Sequence, residues 1–83
     1  MRKVHEYEIR PGQRNVCQLP CDGIIVGIEI RNNLPHLVMV GDPGNGKETR
    51  EFMAIGRNQG VPDGGIKGTC NISGKFYVVV EID

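Results

Sequence analysis

The feature that most constrains this chain is an alternation of apolar and polar residues with period two, interrupted at short intervals by turn-forming residues. Alternate side chains of an extended strand point to opposite faces, so this rhythm reads as half-buried β-strands. In residues 23–30, Ile24, Val26, Ile28 and Ile30 fall on one side, and Ile25, Gly27 and Glu29 on the other. In residues 75–82, Phe76, Val78, Val80 and Ile82 alternate with Lys75, Tyr77, Val79 and Glu81. Residues 4–10 set His5, Tyr7 and Ile9 against Glu6, Glu8 and Arg10, and residues 15–19 form a short strand with Val16 as its core candidate. Residues 36–40 are apolar on both sides, as in a central strand. Residues 49–55 oppose Phe52 and Ala54 to Met53 and Ile55, and residues 66–72 oppose Ile66, Gly68, Cys70 and Ile72 to Lys67, Thr69 and Asn71. No window carries a 3.6-residue period of useful length.

The punctuation supports the strands. Pro11 and Gly12 occupy the central positions of a type II turn, Asn32-Asn33 suits a tight hairpin, and Ser73-Gly74 joins the last two segments. The expectation is one all-β domain spanning 1–83: a compact antiparallel small barrel or sandwich of about six to seven short strands with no substantial helix. Strand pairing is not readable from period alone, so barrel and sandwich both remain open.

A chain of 83 residues has a thin core, which makes a homo-oligomer the expected state. Ten basic residues balance ten acidic ones. Nucleic-acid binders gain most of their affinity from a basic excess, so nucleic acid is not an expected partner. No run approaches the roughly 20 apolar residues that span a bilayer, and the N-terminal stretch has no apolar segment behind its basic start. No membrane association or secretory leader is expected. Three cysteines, Cys17, Cys21 and Cys70, read as reduced thiols. A zinc site is not expected, because Cys17-x3-Cys21 lacks a matching second pair and His5 and His36 stand alone. No cofactor is implied.

One motif imitates chemistry. Residues 41–48, Gly-Asp-Pro-Gly-Asn-Gly-Lys-Glu, nearly spell a phosphate-binding loop. Such a loop must open a helix whose amides point at the phosphates, and a hydroxyl after the lysine must hold magnesium. Here Glu48 takes the hydroxyl position and a strand follows, so the segment reads as a glycine-rich hairpin loop. Ser73, the sole serine, lies in a turn, and neither histidine can be placed beside a nucleophile. The chain is not expected to be an enzyme. A second long loop, residues 56–65, concentrates Arg57, Asn58 and Gln59, whose planar hydrogen-bonding groups suit phosphate or a nucleobase edge. Together with Lys47 and Arg50 these are the candidate ligand-binding residues.

The layout also resembles a known family. Tyr7-Glu8-Ile9, Val16-Cys17-Gln18-Leu19-Pro20, Pro35-His36-Leu37 running into Asp42-Pro43, Glu48-Thr49-Arg50-Glu51-Phe52, Ile66-Lys67-Gly68-Thr69 and the ending Phe76-Tyr77-Val78-Val79-Val80 follow one another in order. This order is similar to that of a family of small all-β proteins of unknown function encoded by bacteriophages and prophages, with its P-x-L-x-x-x-V-D-P, E-x-R-x-F and Y-I-G-T segments. The chain departs from the pattern at Cys21-Asp22-Gly23, at Arg57-Asn58-Gln59-Gly60 and in the glycine-rich insert at 44–46. The resemblance implies a phage-borne accessory protein made in the cytoplasm of the bacterial host. It would be non-enzymatic and would neutralise a component of antiviral defence, by sequestering a nucleotide-derived signal or by docking on a host defence protein. The alternative within this setting is a structural or assembly component of the virion.

Overall fold

The computed structural model describes residues 1–82 and places a strand at each of the seven alternating segments. These are β1 (Lys3–Glu8), β2 (Asn15–Pro20), β3 (Ile24–Arg31), β4 (Leu34–Gly41), β5 (Lys47–Gly56), β6 (Gly64–Ile72) and β7 (Lys75–Ile82). The one helical element among the described residues is a single 3-10 turn at Pro43–Asn45. The strands form two antiparallel sheets, β1-β4-β3 and β2-β5-β7-β6, and no closed barrel. The core between them centres on Ile9, Cys17, Leu19, Leu37, Met39, Phe52, Ala54 and Val79.

The turns follow their residue types. Gly12 has φ +82°, as the third position of a type II turn demands. Asn32 and Asn33 both have positive φ, and they pair Arg31 with Leu34 in a two-residue hairpin. Ser73 and Gly74 do the same between β6 and β7.

Three face assignments made from alternation are overturned. In β3 the register slips between Ile25 and Gly27, leaving Val26 without a partner on β4. A bulge of one residue inverts the parity of everything beyond it. Ile25, opposite Met39, and Ile28, opposite Leu37, therefore face the core, while Ile24 faces out beside Val40. A matching slip at Lys67 in β6 turns Ile66 outward and Gly68 and Cys70 inward. Val16 is no core residue: it is 61% exposed. Its face of β2 points outward because the polar Asn15, two positions from Cys17, takes the buried face to satisfy the preceding turn.

The connections explain how the sheets close. β4 and β5 lie in different sheets, so residues 42–46 link the two layers and are not the hairpin loop expected from sequence. β5 and β6 both run antiparallel to β7, hence parallel to each other, so residues 57–63 must travel back along β7. At the far edge β3 abuts β6, where a Cβ on Gly68 would stand 2.9 Å from Ile28 Cγ1. The missing side chain is what lets the two edges come together. No helix among the described residues is long and apolar enough to cross a membrane.

Candidate functional site

A cleft of about 480 Å³ opens at the end of the sandwich where β5 finishes and β7 begins. One wall is the β1–β2 turn, Pro11 and Gly12. Asn15 holds this wall. Its Oδ1 accepts from the Arg10 amide at 2.8 Å, and its Nδ2 donates to the carbonyls of Gln13 at 2.9 Å, Arg10 at 3.1 Å and Phe52 at 3.3 Å. A buried amide that matches donors and acceptors on three residues fixes the turn to β5.

The floor is almost free of side chains. Ala54 and Gly56 lie beneath it, and nothing lies within 4 Å of where a Cβ would be on Gly12 or Gly74. Tyr77, opposite Gly56 on β7, supplies an aromatic side. Above it, the Arg57 guanidinium lies 4.7 Å from the centre of the Phe76 ring. That contact fixes the cation by its attraction to the ring face and leaves its N–H edges free. Gln59 Oε1 accepts from the Gly56 amide at 3.1 Å, so its NH₂ end remains a donor at the cleft. Lys75 completes the rim. Among the described residues no carboxylate lines this cleft, and neither Arg57 nor Lys75 forms an ion pair.

The second hollow, about 320 Å³, has the opposite character. Its two arginines are neutralised. Arg50 meets Glu81 through two bonds, Nε to Oε2 at 2.6 Å and a terminal nitrogen to Oε1 at 2.7 Å. Arg14 pairs with Glu51 at 3.4 Å. Lys67 approaches the same Glu81 at 3.4 Å. The Arg50 hydrogen bonds, then the positive charge of Arg50 and Lys67, outweigh burial and hold the Glu81 carboxyl below its usual range. An incoming anion would have to displace a fork-to-fork pair.

The candidate residues therefore divide. Arg57 and Gln59 stand at the cleft, and Asn58, with φ +63°, forms the turn between them. Arg50 is committed to Glu81. Lys47 opens β5 at the opposite end of the strand, facing Pro20 of β2. Nine strand positions at ~3.3 Å each put it roughly 30 Å from Gly56. Lys75, Phe76, Tyr77 and the organising Asn15 were not singled out from sequence. Asn15 did leave a signal: it shares a face with Cys17 and Leu19, and a polar residue in an apolar row asks for a reason.

The glycine-rich segment holds only the 3-10 turn at Pro43–Asn45 and opens no α-helix. A strand starts at Lys47, and two of the segment's backbone amides, those of Asp42 and Gly44, are already taken by carboxylates. Asp42 Oδ1 accepts from the Gly44 amide at 2.8 Å, Asp22 Oδ1 from the Asp42 amide at 3.2 Å, and Asp22 Oδ2 from the Asn45 side chain at 3.0 Å. The Met1 ammonium, 2.9 Å away, and the Gly44 amide keep the Asp42 carboxyl below its usual range. Two anions in the loop are the reverse of a phosphate cradle.

Elsewhere, His5 Nε2 lies 3.3 Å from the Gly41 carbonyl, and His36 sits on the outer face of its sheet between Glu8 and Glu29. Cys17 and Cys70 are buried, and burial pushes both thiols up; Cys21 is exposed. All three are free thiols, and no group of three or more metal-ligating side chains gathers among the described residues. No protein-family model, curated protein or solved structure matches the chain.

Proposed function

We propose that this chain is a non-enzymatic binding protein whose end cleft captures a small anion carrying a planar group, of the nucleotide type. The observation that carries the reading is the charge asymmetry between the two hollows. Arg57 and Lys75 face an open cleft with no carboxylate among the described residues to neutralise them, whereas Arg50 and Arg14 are each held by a glutamate. A phosphate would take Arg57 and Lys75, a base would lie over the bare glycine floor against Tyr77, and the Gln59 amide would meet the base edge. The volume falls within the roughly 300–1,000 Å³ common for small-ligand sites.

The resemblance to phage-borne proteins supplies the setting: capture without turnover would deplete a nucleotide-derived signal of host defence. The test is a thermal-shift panel of mononucleotides, cyclic nucleotides and ADP-ribose-type compounds, because a ligand that binds only the folded form must raise the melting temperature. The reading requires a shift with at least one compound, its loss in Arg57→Ala, and recovery of the ligand with unchanged mass. A ligand returned with altered mass would make the protein an enzyme. A flat panel would remove the nucleotide class.

A further inference from the structure

We propose that the outer face of the three-stranded sheet is a dimerisation surface that stacks on the same face of a second copy. At the end of the sheet away from the cleft, Val4, Val40 and Ile24 form one row across the strands, with Val38 in the next row and the unpartnered Val26 beside it. Val4, Ile24 and Val26 are 68%, 56% and 58% exposed. Together the row and its neighbours offer on the order of 400 Å² of apolar surface, within the size range at which a patch marks a contact site. Gly27, opposite Val38, keeps the centre of the face flat. The other end of the face is charged: Glu8, His36 and Glu29 form a row, and Arg31 reaches Glu6 at 2.9 Å and Glu29 at 3.3 Å. The face therefore divides into an apolar end and a charged end, with Glu6 sharing the row of Val38 between them.

Charge selects the occupant and its orientation. The formal net charge is zero, so two copies approach without mutual repulsion. Stacking about a two-fold axis along the strands would set Glu8 against Glu29 of the second copy. Stacking about an axis across the strands, through the Val4–Val40–Ile24 row, lays that row on itself. It brings Arg2, two residues before Val4, over Glu6 of the second copy, two residues after it. Arg2 is exposed and has no ion pair among the described residues. The area buried, on the order of 1,000 Å² in total, is below the roughly 1,600 Å² of a standard stable interface. A contact of this size belongs to the weak, transient class of association. The cleft lies beyond the other end of β1, so both clefts stay open and this surface is independent of the ligand proposed above.

Sedimentation equilibrium of the full chain from about 1 to about 500 μM tests it. The wild type should pass from a 9.2 kDa monomer toward twice that mass. Ile24→Glu, an outward and exposed position, should weaken association at least tenfold while leaving the melting temperature in dilute solution unchanged. Arg2→Glu should weaken it, and adding Glu6→Arg should restore it. A wild type that stays monomeric throughout would leave this face to some other partner and overturn the proposal. So would a dimer that Ile24→Glu leaves intact, or one indifferent to Arg2→Glu.

Discussion

Asn15 should be the polar residue on which this fold depends most, and its substitution separates two kinds of loss. The side chain makes three bonds of 3.1 Å or shorter and a fourth at 3.3 Å, all to backbone groups. At about 1 kcal/mol net per good bond, Asn15→Ala should cost about 3 kcal/mol. A domain of 83 residues has roughly 4–12 kcal/mol to lose. At ~4–8 °C per kcal/mol the melting temperature should fall by about 12–24 °C. Asn15→Asp is nearly isosteric but should be worse at pH 7. Its carboxylate could still accept from the Arg10 amide, yet it would face the carbonyls of Arg10, Gln13 and Phe52 with no donor. Protonation returns a donor, so the folded pKa of the introduced acid is raised and its penalty shrinks as the pH falls. Thermal melts of the three proteins between pH 7 and pH 4.5 give the comparison. The expected order at pH 7 is wild type, then Ala, then Asp, with the gap between Ala and Asp narrowing in acid. An Asn15→Asp protein that melts with the wild type at pH 7 would refute this account of the turn.

Glu81 gives a second pH test: a carboxyl whose folded pKa lies below its unfolded value stabilises the fold above roughly pH 4.3, and that stability is lost as the pH falls through the folded pKa. Melting temperature should thus drop in acid, and Glu81→Gln, which loses the charge at pH 7, should flatten the drop. Thiol labelling of the native protein with a maleimide should modify Cys21 rapidly and Cys17 and Cys70 slowly, giving one added mass before denaturation and three after it. Gly68→Val should strain the β3–β6 seam against Ile28 by about 1–3 kcal/mol, measured by urea unfolding, and Ile28→Ala should relieve part of that cost in the double variant.

The strands were legible because their chemistry is local. Each alternating segment and each Pro-Gly, Asn-Asn or Ser-Gly turn acts over a few residues, and all seven strands appear where the alternation places them. The faces of β3 and β6 were not legible, because a bulge adds one residue without leaving a mark in the hydrophobic pattern: Ile24, Val26, Ile28 and Ile30 look continuous on paper and divide around Val26 in space. Pairing was hidden for a different reason. Nothing local tells residues 42–46 that β4 and β5 belong to different sheets.

The site inherits both limits. Arg57 and Gln59 were visible as a loop cluster, and the loop does border the cleft. Lys47 and Arg50 lie far along an extended strand, and the commitment of Arg50 to Glu81 depends on a pairing 31 residues apart in sequence. Lys75, Phe76 and Tyr77 read as ordinary strand alternation, and only the tertiary arrangement brings them to Pro11, Gly12 and Arg57.

The most direct test of the binding account is an amide NMR titration of the ¹⁵N-labelled protein with the nucleotide that gives the largest thermal shift. Saturable chemical-shift changes confined to Gly12, Gly56, Arg57, Gln59, Lys75, Phe76 and Tyr77, and abolished by Arg57→Ala, are the predicted result. Changes centred instead on Lys47, Arg50 and the glycine-rich segment at 41–46, or a spectrum that does not respond, would contradict it.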